Sequence, residues 1–277
     1  ILVKSQDDKN LDEEKIVQSM TDDVLLAVLP SVLYRSGQLL DIPYLTTEAH
    51  KRNIIIGYDC SHSVGVVPHY LDKWDVDFAF WCSYKYLNGG PGATGFIYIN
   101  EKHFQREPAI TGWFGYIKEK QFDLKLEFEP AKNAGGWQIS TPNIMGTAAI
   151  EGALKIILEA GIDKIRKKSI KMTSYLIYLV DQLLSKEPYN FTIGTKRDPD
   201  KRGGHIALER NRDALKISET LRKKGIITDF RPPNIIRIAP SPLYNTYQEI
   251  WNTINTIKEI IDSREYREVP QKRREIT

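Results

Sequence analysis

Cysteine is scarce: the chain holds only Cys60 and Cys82, both in segments that read as strand ends. Two such cysteines exclude a disulfide framework and suit a reducing compartment. No apolar run approaches the roughly 18 residues that a membrane-spanning helix needs. No signal-peptide pattern opens the sequence, so no membrane partner and a cytoplasmic location are expected. Charge of either sign is nearly balanced, with 39 Lys and Arg against 36 Asp and Glu, and the net +3 gives no reason to expect a nucleic-acid partner. Internal repeats and low-complexity stretches are missing, and only Arg264 to Arg274 gathers basic charge, as a solvated tail. What remains is an ordinary globular composition: 277 residues, 41% of them hydrophobic, can bury one large or two medium cores.

Periodicity alternates between helix and strand. Leu11 to Met20 reads as a helix, Val24 to Leu29 as a strand, Leu45 to Arg52 as a helix, and Asn53 to Asp59, Val76 to Cys82 and Gly95 to Ile99 as strands. The near-continuous apolar run before Cys82 suits a strand buried on both faces of a mostly parallel sheet, with helices packed over it. Two long helical patterns follow, Ile144 to Glu159 and Ile162 to Leu184, parted by Ala160-Gly161 and expected to pass from a large domain to a small one. The small domain reads as a second α/β layer: His205 to Leu208, a helix over Arg212 to Lys224 stopped by Gly225, Ile226 to Phe230, Ile235 to Ile238, and a closing helix over Tyr247 to Ile261. The expected division is 1–150 and 151–277.

Chemistry concentrates in Trp81-Cys82-Ser83-Tyr84-Lys85-Tyr86-Leu87-Asn88-Gly89-Gly90-Pro91-Gly92-Ala93-Thr94-Gly95. A lysine leaves the end of an apolar strand, where α/β proteins bind ligands, and a glycine-rich turn follows at once. An amine in such a place can bond an aldehyde; it can equally be a surface lysine opening a turn. Tyr58-Asp59-Cys60-Ser61-His62 repeats the pattern, with an acid at the end of a second short strand 26 residues before Lys85. Such an acid can sit beneath a protonated heterocycle, or cap the following turn. A histidine such as His62, taken alone, is more often a structural hydrogen-bonding group than a catalyst. Arg237, in Ile235-Ile236-Arg237-Ile238, places a charge in an apolar strand, where a carboxylate must meet it, whether from a ligand or from a structural ion pair.

Together with Gly112-Trp113-Phe114-Gly115 and Arg237-Ile238-Ala239-Pro240-Ser241-Pro242-Leu243-Tyr244-Asn245, these blocks resemble kynureninase in order and spacing. Kynureninases are fold type I pyridoxal phosphate enzymes of the class V aminotransferase group. The resemblance runs across nearly the whole chain. It implies that residues 1–150 are part of a cofactor-binding large domain, and that 151–277 hold interdomain helices and the C-terminal small domain. Ile1-Leu2-Val3-Lys4 starts without methionine and looks like a strand interior, so the chain is expected to lack the family's N-terminal third.

The resemblance also assigns roles, with pyridoxal 5'-phosphate as the cofactor and no metal ligand. Lys85 is the residue that bonds the cofactor aldehyde and then moves protons, Asp59 pairs with the pyridinium nitrogen, and His62 supports the cofactor. Tyr84 contacts the phosphate and aids proton transfer, and Ser31 lies near the cofactor. Trp113 donates its indole N–H to a phosphate oxygen across a homodimer interface, and Phe114 walls the aromatic part of the substrate. Thr141 stands where many members carry asparagine, which leaves ring-hydroxyl preference open. Arg237 grips the substrate α-carboxylate. The implied reaction is hydrolytic Cβ–Cγ cleavage of L-kynurenine or 3-hydroxy-L-kynurenine. It yields anthranilate or 3-hydroxyanthranilate with L-alanine, in tryptophan catabolism and NAD biosynthesis. Other readings are a cysteine desulfurase-like or aminotransferase reaction of the same class, or an inactive remnant that binds or dimerises.

Overall fold

The computed structural model describes residues 1–270. By contact the chain divides into two units: one holds Ile1, Glu13–Ser31 and Asp41–Ala160, the other Leu2–Asp12, Val32–Leu40 and Gly161 onward.

The first unit opens with α1 (Glu13–Gln18), shorter than the Leu11 to Met20 pattern. Strand β1 (Leu26–Pro30) follows. Helix α2 (Ile42–His50) starts three residues before the expected Leu45, because Asp41 caps it by accepting from the Tyr44 N–H and a proline stands in its first turn. Strands β2 (Ile55–Asp59), β3 (Phe78–Cys82) and β4 (Gly95–Ile99) complete a sheet in the order β1-β2-β3-β4. β1, β2 and β3 run parallel and β4 antiparallel. The unit ends with α3 (Ile144–Ala160).

Only one face of this sheet is closed. Ile56, Tyr58 and Ala79 point into a core that includes Leu45 and Ala49 of α2, and all are fully buried. On the other face Leu26, Val28, Phe80 and Ile97 stay exposed, Val28 at 51%. β3 is therefore not buried on both faces: its apolar run reflects a face that no described residue covers. Ile1 to Lys4 form no strand, since no neighbouring strand offers them a ladder, and Ile1 and Leu2 are exposed.

The second unit holds α4 (Ile162–Leu183), β5 (Thr192–Ile193), β6 (Ile206–Glu209), α5 (Ala214–Lys223), β7 (Asp229–Arg231), β8 (Ile235–Ile238) and α6 (Tyr247–Ser263). Its sheet, β5-β6-β8-β7, is antiparallel throughout. Met172, Leu176 and Val180 of α4, Ile217 and Leu221 of α5, and Ile254 and Ile257 of α6 form its core with the strands. Thr246 and Glu249 close a reciprocal capping box on α6. The strand expected over Ile226 to Phe230 is shifted to β7, because pairing with β8 runs only from Asp229 to Arg231. The tail from Arg264 is not simply solvated: Tyr266 and Val269 are buried, Tyr266 in the core of this unit. Its residues 271–274 lie outside the described part.

A buried acid ties the starts of β2 and β3 together. Asp77, 3% exposed, accepts from the Ile56 N–H at 2.8 Å and pairs with His50 Nε2 at 2.9 Å, His103 Nε2 at 2.6 Å and Lys102 Nζ at 2.9 Å. Burial pushes its carboxyl up, but the Ile56 N–H, both imidazoles and Lys102 outweigh burial and hold it well below the ordinary carboxylate range. A group depressed in the folded state adds stability above its unfolded value, near 4, and loses that contribution as pH falls further. Asp77→Asn is expected to cost roughly 2–4 kcal/mol in denaturant unfolding at pH 7. The gap to wild type should narrow below pH ~4; a gap that stays constant to pH ~3 contradicts this role for the carboxylate.

Candidate active site

The parallel register of β2 and β3 sets Asp59 beside Phe80, so both strands release their next residues at one edge of the sheet. From β2 come Cys60, Ser61 and His62; from β3, Ser83, Tyr84 and Lys85. Cys60 N–H donates to Phe80 O at 2.8 Å and Cys82 N–H to Ser61 Oγ at 3.3 Å, stitching the two turns together. Lys85 Nζ lies 3.0 Å from His62 Nε2, and 5.8 Å from the centre of the Tyr84 ring. Among the described residues no carboxylate pairs with Lys85. The Asp59 carboxylate accepts the Ser61 N–H on Oδ1 at 2.9 Å. Ser31, at the end of β1, donates to Asp59 O at 3.0 Å. Ser31, Asp59, His62 and Lys85 thus lie on neighbouring turns at one edge of the sheet.

Close backbone packing holds the lysine turn. Gly65 sits at φ +91°, and a Cβ there would lie 2.9 Å from the Tyr86 carbonyl. Thr94 Oγ1 lies 3.0 Å from Thr147 Oγ1, which joins the turn to the start of α3. Just before that helix the chain passes Thr141, exposed to solvent. Gly112 is packed so tightly on Ile139 that a Cβ would fall 2.0 Å from its carbonyl oxygen. That contact sets the Trp113 and Thr141 segments side by side. Trp113, 47% exposed, packs edge-on against Phe122, and Lys118 Nζ lies 3.8 Å over the Phe114 ring. Trp113, Phe114 and Thr141 thus lie on a segment of their own, held by the contacts of Gly112, Phe122 and Lys118.

Arg237 belongs to the second unit. On β8 it stands opposite Asp229 of β7, pairs with that carboxylate, and donates to the Tyr34 carbonyl. The structural ion pair left open by the sequence is present, and a ligand carboxylate would share or displace Asp229.

Two groups escaped the motif reading. Ser63 and His69 are hydrogen-bonded behind the Asp59 turn at 2.7 Å; His69 lies in Pro68-His69-Tyr70, a context without a motif signal. The thiols also differ. Burial pushes Cys60 up to about 11, against smaller opposing effects of Ser31 and Ser63. The neighbouring Cys82 raises the Tyr84 phenol above its ordinary value.

Solved structures with the same fold include a cysteine desulfurase from Thermococcus onnurineus NA1, with a TM-score of 0.79 at 19% identity, covering 95% of this chain and 66% of that one. An alanine–glyoxylate aminotransferase from Nostoc sp. matches with a TM-score of 0.68 at 15% identity, covering 94% and 66%. C-DES, in a variant with glycine covalently linked to its pyridoxal phosphate cofactor, gives 0.75 at 15% identity, covering 91% and 66%. The fold is therefore that of the class V group of fold type I pyridoxal phosphate-dependent enzymes. Residues 165–257 match the kynureninase C-terminal domain. Over 273 residues the chain is 50% identical to a kynureninase of Geobacillus thermodenitrificans and 49% identical to one of Bacillus cereus, covering 99% of this chain and 63% of each relative. The chain is therefore similar to kynureninases over nearly its whole length, and it spans 63% of the length of these curated relatives.

With Cys60 buried and held as a thiol, a thiol reagent at pH 8 should modify Cys82 rapidly and Cys60 only after denaturation. Equal rates for both thiols in the native chain contradict this assignment.

Proposed function

We propose that this chain carries the lysine-bearing part of a kynureninase active site, acting on L-kynurenine or 3-hydroxy-L-kynurenine to release anthranilate or 3-hydroxyanthranilate and L-alanine. The observation that carries the reading is the meeting of Lys85 and His62 at 3.0 Å on the two turns that Asp59 and Cys82 open. The donor set fits pyridoxal phosphate. An amine with no carboxylate on it among the described residues faces an imidazole, a strand-end carboxylate keeps lone pairs free beyond the one Ser61 uses, and the glycine turn brings backbone close.

When bound, the cofactor supplies an electron sink for charge at the substrate α-carbon. Lys85 Nζ would hold the cofactor through its aldehyde carbon and would take and return protons at the substrate α-carbon. Asp59 holds a proton on the ring nitrogen by charge pairing. His62 orients Lys85 and the cofactor from the same edge. Tyr84, its phenol kept protonated, donates to the phosphate and aids proton transfer. Ser31 adds a hydroxyl near the cofactor, and the Thr141 hydroxyl and Phe114 ring meet the substrate's aryl part. Arg237, released from Asp229, grips the α-carboxylate with two parallel hydrogen bonds.

A homodimer is supported by exposed apolar side chains, among them Phe122, which packs on Trp113, and Leu124, Leu126, Ile144 and Met145. In that assembly Trp113 offers its indole N–H to a phosphate oxygen across the interface. The cysteine desulfurase reading is disfavoured, because it requires a reactive cysteine on a mobile loop, whereas Cys60 is buried and Cys82 ends a strand. A cytoplasmic location is supported by the two free cysteines.

Absorption of the chain with pyridoxal phosphate tests the proposal. A long-wavelength band is expected that changes on adding L-kynurenine and is missing in Lys85→Ala. A band that responds to L-cysteine and ignores L-kynurenine contradicts it.

A further inference from the structure

Behind the Asp59 turn runs a string of side chains that none of the assignments above uses in full. Ser31 Oγ donates to Asp59 O at 3.0 Å, the Ser31 and Ser63 hydroxyls lie 2.6 Å apart, and His69 Nε2 lies 2.7 Å from Ser63 Oγ. Both serines are fully buried. Each hydroxyl carries one proton, and one direction of the string leaves no N–H of His69 unpaired. The Ser31 proton goes to the Asp59 carbonyl. The Ser63 proton goes to Ser31 Oγ or to Cys60 O at 3.1 Å. Ser63 must then accept from His69, so the His69 ring carries its proton on Nε2.

The other ring nitrogen agrees. His69 Nδ1 is buried without a hydrogen-bond partner, which a bare lone pair tolerates better than an N–H would. Burial also pushes His69 down to about 4, so the ring stays neutral near pH 7. The ring is held from behind, edge-on to Trp74 with centroids 6.1 Å apart, and Trp74 packs against Tyr70 in the same way.

We infer that His69, acting through Ser63 and Ser31, is a positioning residue that locks the Cys60–Ser63 turn against β1 and thereby aims the Asp59 carboxylate and the His62 imidazole. The locking rests on the hydrogen bonds alone; the aim toward a cofactor rests on the function proposed above. Trp74, His69, Ser63 and Ser31 form one line of contact from a surface loop to the end of β1. Asp59 hangs on that line by its carbonyl, and His62 lies between two of its members in sequence. A hydrophobic side chain at 69 keeps the volume and removes the donor, whereas glutamine restores an N–H.

Amide hydrogen exchange in the full chain provides the test, compared among wild type, His69→Leu, His69→Gln and Ser63→Ala. The Ser63 and Val64 amides, bonded to Cys60 O at 3.0 and 2.9 Å, report on the turn. In His69→Leu their exchange is expected to rise about tenfold, the effect of one lost hydrogen bond, with β4 and α6 unchanged. His69→Gln should return most of the protection. Unchanged exchange in His69→Leu, or a rise that glutamine does not reverse, overturns the locking. If His69→Leu does not fold, Ser63→Ala decides by the same amides.

The pH midpoint of the bound-cofactor absorption reads the second half of the inference. It should shift in His69→Leu and return in His69→Gln; a fixed midpoint alongside raised exchange overturns the link to the cofactor. A wild-type chain that shows no cofactor absorption refutes the proposed function instead, and leaves the exchange result to judge the locking.

Discussion

Parallel pairing of β2 with β3 places Gly57 beside Phe78 and Asp59 beside Phe80, and the candidate site depends on that register. A shift by one residue would turn Asp59 to the opposite face of the sheet and part it from the lysine turn. At the far end, Asp77 bonds the Ile56 N–H and gathers His50, Lys102 and His103 from α2 and from the turn after β4. At the near end, Cys60 N–H and Phe80 O bridge the strands as they release their turns. Charge pins one end of the strand pair and leaves the other end to chemistry.

The two ends are wired differently. Around Asp77 the carboxylate is used on both oxygens, by the Ile56 N–H and His50 on one and by Lys102 and His103 on the other. Around Lys85 the polar partner of the amine among the described residues is an imidazole, and behind Asp59 the contacts are hydroxyls, a thiol and a neutral histidine. Arg237 stands in contrast. It is committed to Asp229 across the β7–β8 ladder, so the second unit carries this cation as half of an ion pair.

Much of this was legible in the sequence because the strands that carry it are short, apolar and end on a chemical residue. Gly95–Ile99 and Ile235–Ile238 fall where the apolar runs put them, and the long helices start where periodicity sets them. Boundaries moved where local chemistry outweighed hydrophobicity: Asp41 capping drew α2 back by a turn, and ladder pairing confined β7 to three residues. Burial was misjudged for β3, since an apolar run does not say whether anything lies above it. Asp77 was invisible because a lone acid inside Val76-Asp77-Phe78 gives no hint of two histidines from 27 residues before and 26 residues after. His69 was missed for the same reason: its partner, Ser63, is six residues away across a turn whose shape no pattern encodes.

The central claim is that the turn after β3 presents Lys85, among many lysines, as the one that bonds an aldehyde. Borohydride reduction of the chain after incubation with pyridoxal phosphate, followed by peptide mass spectrometry, tests it directly. The phosphopyridoxyl group should be found on the peptide containing Lys85, in near-stoichiometric yield. Label spread over exposed lysines such as Lys73 and Lys155, with Lys85 unmodified, would contradict the account.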